Sequence, residues 1–174
     1  MLRYLHIVLL LLAILFAGCR ETTHQQPKVT KADMKNSMEK ANRYLLSEEE
    51  QDIENYIARH ELQMVSTGTG LRYQIVEQGS DKPIRNGQKV SIAYELRSIA
   101  GDMIYSSETE GIKTFVVGDG QVESGLEEAM LHLHEGDKAK IIIPYHLGYG
   151  LHGDDNKIPE YATLVYTIKL IDNQ

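Results

Sequence analysis

The residues that decide how this chain folds are Phe-Val-Val-Gly at 115–118, Val-Glu-Ser-Gly-Leu-Glu-Glu at 122–128, Glu-Gly-Asp-Lys-Ala-Lys-Ile-Ile-Ile-Pro at 135–144, Leu-Gly-Tyr-Gly at 147–150, Ile-Pro at 158–159 and Ala-Thr-Leu-Val-Tyr at 162–166. In order they read as strand, glycine turn, short helix, strand, glycine-rich loop with a tyrosine, and apolar strand. Ser124 with Glu127 three residues later predicts a capping box at the start of the helix. Leu126, Ala129, Met130 and Leu133 then fall on one apolar face. Gly136 suits a left-handed stop after that helix. Ala139 to Ile143 reads as a strand ended by Pro144, and Leu164, Tyr166, Ile168 and Leu170 share one face of the last strand.

Toward the N-terminus the period of two continues. Leu71, Tyr73 and Ile75 alternate with polar residues from Gly70 to Gly79. Asn86-Gly87 signals a turn, after which Val90, Ile92, Tyr94 and Leu96 lie on one strand face. Ala100-Gly101-Asp102 marks another turn before Met103 to Ser107. Antiparallel strands with one short amphipathic helix predict an α+β domain, a curved sheet folded around that helix. Residues 33–63 read instead as a helical pair. Met34, Met38, Ala41 and Leu45 follow Asp33 as N-cap, and Ser47 with Glu50 opens a second helix carrying Ile53, Tyr56, Ile57 and His60. Two uses of this arm stay open, packing on the neighbouring domain or serving as a dimerisation or client-holding arm.

The first residues belong to neither part. Ile7 to Phe16 is an unbroken apolar run, shorter than the ~20 residues that span a bilayer but suited to the core of a signal peptide. Phe16-Ala17-Gly18-Cys19 places small residues before the only cysteine and resembles the lipobox of bacterial lipoproteins. That resemblance implies lipidation at Cys19, a polar tether behind it, and, with Arg20 next, the periplasmic side of the outer membrane. The expected boundaries are a signal peptide over 1–18, a tether over 19–32, the helical extension over 33–63 and the main domain over 64–174.

A formal net charge of −7 repels phosphate backbones and anionic head groups, which argues against nucleic acid as a partner. The sequence has no Gly-x-Ser-x-Gly, Cys-x-x-Cys, Walker loop or His-Glu-x-x-His. His132 and His134, two apart on a helix, would point to opposite sides, and His146 and His152 lack an obvious third ligand. No metal and no cofactor are expected. The Gly-Asp-Asp-Asn run at 153–156 lacks calcium-loop spacing and reads as a polar loop tip.

From near Gly70 to the C-terminus, the quoted motifs resemble the FKBP-type peptidyl-prolyl isomerases. The resemblance implies a catalytic set of Tyr94, Tyr149, Ile158 and Tyr166. In it Tyr149 donates its hydroxyl to a substrate carbonyl, and Ile158 supplies a backbone N–H and a side chain. It implies a pocket of Ile104, Tyr105, Val122, Glu123 and Leu126, with Leu126 standing where the family has a tryptophan. Read by themselves, Tyr94, Tyr166, Ile104, Val122 and Leu126 could equally be core residues. Three positions depart from the family pattern. Tyr105 replaces an aspartate that orders neighbouring donors, Glu123 replaces an apolar residue and puts a carboxylate at the rim, and Lys113 stands at an often aromatic position.

Such a pocket needs no nucleophile. Rotation about X–Pro faces a barrier of ~20 kcal/mol because resonance holds the amide planar. The twisted transition state has lost that resonance and part of its charge separation, so a dry apolar cleft favours it. The resemblance therefore implies an isomerase acting on proline-containing, exported polypeptides, with a noncatalytic chaperone or binding module of the same fold as the alternative. It is similar in particular to the small FKBP-type lipoproteins associated with gliding-motility machinery.

Overall fold

Strand periodicity sets the architecture of this computed structural model, which describes residues 30–171. In β3 (Lys89–Ser98) the alternate residues Val90, Ile92, Tyr94 and Leu96 are buried. The other strands are β1 (Val65–Ser66), β2 (Arg72–Glu77), β4 (Met103–Ser106), β5 (Lys113–Val116), β6 (Lys138–Ile143) and β7 (Leu164–Ile171). All pair antiparallel in the order β1-β2-β6-β7-β3-β4, and β5 also pairs with β3. β4 and β5 share one edge of β3, separated by the single turn α2 (Ser107–Glu110). Register shifts at Ile75/Glu77 and Leu96/Arg97 mark irregularities of the kind that bend a sheet.

The short helix α3 (Ser124–Met130) lies on the inner face, and Leu126, Ala129, Met130 and Leu133 join the main core as the apolar stripe predicts. This is the expected FKBP-like α+β fold. The cap differs from the reading of the sequence. Ser124 is already helical and donates its hydroxyl to the Leu147 carbonyl at 3.2 Å, while Glu127 accepts the Gly120 amide at 2.8 Å. The helix ends at Met130, so His132 and His134 lie beyond it. The His132 ring stacks on Tyr73 with centroids 4.8 Å apart, and His146 Nε2 lies 3.0 Å from the Thr69 carbonyl.

The expected helical pair is one continuous helix, α1 (Lys31–Arg59). Thr30, not Asp33, caps it. The Asp33 amide donates to the Thr30 hydroxyl and the Thr30 amide donates to the Asp33 carboxylate, each at 3.1 Å. Ser47 starts no second helix, because its hydroxyl turns back to the Tyr44 carbonyl. The chain divides into two units, one ending at Lys40 and the other starting at Ala41. Within the second unit, Ile53 and Tyr56 pack with Ile142 and Val165 on the outer sheet face. Coverage on both faces explains why Ile141, Ile142 and Ile143 are all buried and break the alternation.

Polar contacts fix that packing. Glu49 Oε1 accepts the Tyr145 amide and the Thr163 hydroxyl, both at 2.6 Å. The buried Arg72 guanidinium donates to Glu50, to Glu54 at 3.3 Å and to the Gly70 carbonyl at 2.7 Å. No helix among the described residues is long and apolar enough to cross a membrane. The expected signal peptide, Cys19 and most of the expected tether lie outside the described residues.

Candidate functional site

Five separate segments converge on one aromatic cluster. β3 contributes Tyr94 and β7 contributes Tyr166, with ring centroids 6.0 Å apart. Both face inward because they fall on the buried phase of their strands. β4 adds Ile104, α3 adds Leu126, and the loop before β7 adds Ile158, all in the same buried core. Tyr105, Val122 and Tyr149 are partly buried against it. The structure thus brings together every apolar residue of the expected site. It also brings in both charged departures.

Glu123 is the first correction. Its carboxylate is not at a rim; the residue is 9% exposed and Oε1 accepts the hydroxyl of the fully buried Tyr166. Lys113 lies against the same rings, with Nζ 5.1 Å from the Tyr94 centroid and 5.9 Å from that of Tyr166. The aliphatic stem of a lysine can cover apolar surface while its ammonium rests on an aromatic face.

The second correction concerns Ile158. Its N–H donates to Asp154 Oδ1 at 2.7 Å, so its side chain is what remains for the pocket. Asp154 organises the loop. Oδ1 also accepts the Asn156 amide at 3.0 Å, and Oδ2 accepts the Tyr105 hydroxyl at 2.5 Å. Asn156 donates its side-chain amide to the same phenol oxygen at 3.0 Å. A carboxylate therefore stands beside the pocket after all, delivered by the loop. The polar tip at 153–156 was its signal, since Asp and Asn side chains accept from backbone amides two residues on. Gly153 permits the tight closure: its φ is +70°, and a Cβ there would meet the Ile158 carbonyl oxygen at 2.1 Å.

Two donors are left over. Neither the Tyr149 hydroxyl nor the Glu123 backbone N–H donates to any group among the described residues. Tyr149 follows the 3₁₀ turn Tyr145–Leu147 and precedes Gly150, whose amide returns to the Tyr145 carbonyl at 2.9 Å. Burial, reinforced by the charge of Glu123, pushes the Tyr149 phenol well up, and burial with the same carboxylate does so for Tyr166. Burial first, then Glu110 and Glu123, raises Tyr94 as well. All three phenols stay protonated at neutral pH, and a protonated Tyr149 is what donation to a carbonyl requires. A hollow of about 300 Å³ lies elsewhere, between Leu45, Glu49 and Tyr161, and touches none of these groups.

This constellation sits inside residues 80–171, the span matched by the sequence profile of the FKBP-type peptidyl-prolyl cis-trans isomerases. The chain belongs to that family. It is 32% identical over 103 residues to an FK506-binding protein of Neisseria meningitidis, covering 59% of this chain and 94% of that one. A probable FKBP-type isomerase of the same organism, FkpA, is 34% identical over 142 residues, which are 81% of this chain and 48% of the relative. The chain thus spans about half the length of that FKBP relative. The crystal structure of FkpA from Escherichia coli superposes with a TM-score of 0.63 at 25% identity, over 92% of this chain and 80% of that chain. FKBP-type isomerases act on proline-containing polypeptides, and membership supports an isomerase enzyme.

Proposed function

We propose that this FKBP chain catalyses rotation about X–Pro bonds in exported polypeptides while held by a lipid on Cys19 at the periplasmic side of the outer membrane. The observation that carries the catalytic part is the pair of unengaged donors, the Tyr149 hydroxyl and the Glu123 amide, beside the buried floor of Tyr94, Leu126 and Tyr166. The donors hold the peptide backbone while the proline ring rests on apolar side chains. The planar amide loses its resonance as it turns, and the desolvated walls favour the less polar twisted state over the ground state. No group is protonated or attacked, and no cofactor takes part.

The anchoring part rests on the apolar run Ile7 to Phe16 and on the small residues before Cys19. The exposed Met34 and Met38 of α1 offer apolar surface for a second copy of the chain. Refolding of a proline-limited client tests the catalysis. The purified chain at micromolar concentration is expected to accelerate the slow phase. Binding of the client without acceleration, with the protein folded, would replace the enzyme by a noncatalytic holding module. Cys19→Ser is expected to release the chain from the membrane fraction, and unchanged fractionation rejects the anchor.

A further inference from the structure

The hollow of about 300 Å³ beside α1 lies wholly within the unit that starts at Ala41. Leu45 of α1, Ile99 after β3, and Tyr145, Pro159 and Tyr161 give it an apolar, aromatic lining. Glu49 joins its walls through the Tyr145 amide and the Thr163 hydroxyl, so the cavity is formed before anything enters it. A volume at the low end for ligand pockets suits a large side chain. The other two lining carboxylates, Asp52 and Glu160, are exposed and meet no hydrogen-bond or ion-pair partner among the described residues. No lysine or arginine lines the hollow. This combination complements an apolar side chain flanked by cations. Tyr161 adds an independent sign. Its φ is +57°, a left-handed backbone that strains a bulky residue and that Asn or Gly adopts more readily. Its ring meets Tyr145 edge-on with centroids 5.4 Å apart, yet the residue stays 42% exposed, so core packing does not account for it. Strained positions of this kind gather at ligand clamps.

We propose that this hollow is a second polypeptide site, which takes an aromatic side chain flanked by Lys or Arg from an unfolded chain. The incoming ring completes an aromatic set with Tyr145 and Tyr161, and the flanking cations pair with Asp52 and Glu160. No proline is needed, because no bond turns here. Pro159 follows Ile158 in the chain, so the hollow and the proline pocket share one loop. A segment held in the hollow presents its neighbouring prolines to the pocket at a raised local concentration. The second site goes beyond the isomerase reading and does not depend on it.

The test uses the full chain and proline-free peptides centred on Lys-Phe-Lys, Lys-Ser-Lys or Glu-Phe-Glu. The first is expected to bind about tenfold tighter than either control, the factor that burial of one aromatic ring commands, and to weaken with added salt. Its amide shift changes should fall on Ile99, Tyr161 and Ala162. Equal affinities, or changes centred on Tyr94 and Tyr149 instead, overturn the proposal. Failure of every peptide to bind overturns it too, including where a second copy of the chain covers the hollow. Glu160→Lys is expected to narrow the preference for Lys-Phe-Lys over Glu-Phe-Glu severalfold. Tyr161→Asn separates a ligand contact from a structural one. Affinity is expected to fall about tenfold while the denaturation midpoint holds or rises, because asparagine relieves the left-handed strain. A lower midpoint with unchanged affinity makes the tyrosine structural and counts against the proposal. Turnover of an X–Pro peptide without Lys-Phe-Lys binding overturns the second site alone. Binding without turnover overturns the isomerase reading alone.

Discussion

The Tyr105 hydroxyl donates to Asp154 Oδ2 at 2.5 Å, joining the end of β4 to the tip of the loop that carries Ile158. The family resemblance implies a lost carboxylate at position 105. The carboxylate has instead moved to the loop, and the phenol reaches across to it. Asp154 accepts from Tyr105 and from the amides of Asn156 and Ile158, so one side chain holds both walls of the pocket together. Lys157 adds a cation 4.7 Å from the Tyr105 ring centroid.

Removing that carboxylate is expected to loosen the loop without unfolding the sheet. Asp154→Ala strands the Ile158 amide, and its hydrogen exchange is expected to rise at least tenfold, whereas Tyr105→Phe removes one bond of the three and has a smaller effect. The natural chain should show the same loosening in acid. Burial alone would raise the Asp154 carboxyl, but the donations from Tyr105 and the loop amides outweigh it and hold it below its ordinary value. A depressed folded value adds stability above the unfolded value, about 4, and that contribution fades as pH falls from there through the folded value. Protection of the Ile158 amide, its exchange rate relative to that of an unstructured amide at the same pH, should therefore be constant around neutral pH and fall below about pH 4. A flat profile through that window would show that Asp154 does not hold the loop.

Tyr149→Phe separates binding chemistry from stability. The hydroxyl has no partner among the described residues, so its loss should shift the denaturation midpoint by less than about 0.5 kcal/mol. If it holds a substrate carbonyl, kcat/KM for an X–Pro peptide should fall about tenfold, the cost of one hydrogen bond. Unchanged turnover would move the role of carbonyl donor to another group.

Much of the inner face of the fold was legible because a period of two along β3 and β7 and a helical period along Leu126, Ala129, Met130 and Leu133 report burial directly. The N-terminal helix reads as two in the sequence for a physical reason. Ser47 and Glu50 satisfy the pattern of a capping box, yet a serine inside a helix can turn its hydroxyl to the preceding turn, as Ser47 does toward Tyr44. Within the site, the apolar members could be placed from their strand phases. The burial of Glu123 and the span of Asp154 across 49 residues to Tyr105 could not. Each depends on side chains brought together by separate segments, which no local spacing encodes.

Packing of α1 on the outer sheet face can be broken by one side chain. Ile53 is 1% exposed among Tyr56, Ile142 and Val165. Ile53→Ala is expected to cost about 2–5 kcal/mol from lost burial and the cavity left behind. Glu49→Ala leaves the Tyr145 amide and the Thr163 hydroxyl without their acceptor and is expected to cost about 1–3 kcal/mol. Chemical denaturation measures both. If neither variant shifts the midpoint while exchange in α1 rises, the helix detaches as a separate unit and the sheet does not depend on it.

Alkaline titration reads the tyrosine cluster as a whole. Tyr149 and Tyr166 have folded values raised by burial and by Glu123, and Tyr94 is raised by burial, Glu110 and Glu123. A raised folded value contributes stability that is complete below the unfolded value and is lost as pH climbs through the folded one. Stability is therefore expected to hold up to about pH 10 and to decline above it, since the unfolded chain releases these phenolic protons first. Phenolate absorbance should show the exposed tyrosines ionising near their ordinary value and the cluster ionising later, together with loss of structure. Tyr166→Phe removes one such proton and should make the alkaline decline shallower, even though it also takes the hydrogen bond from Glu123 and lowers stability at neutral pH. An alkaline slope unchanged by that substitution would mean that the Tyr166 phenol ionises within the folded protein.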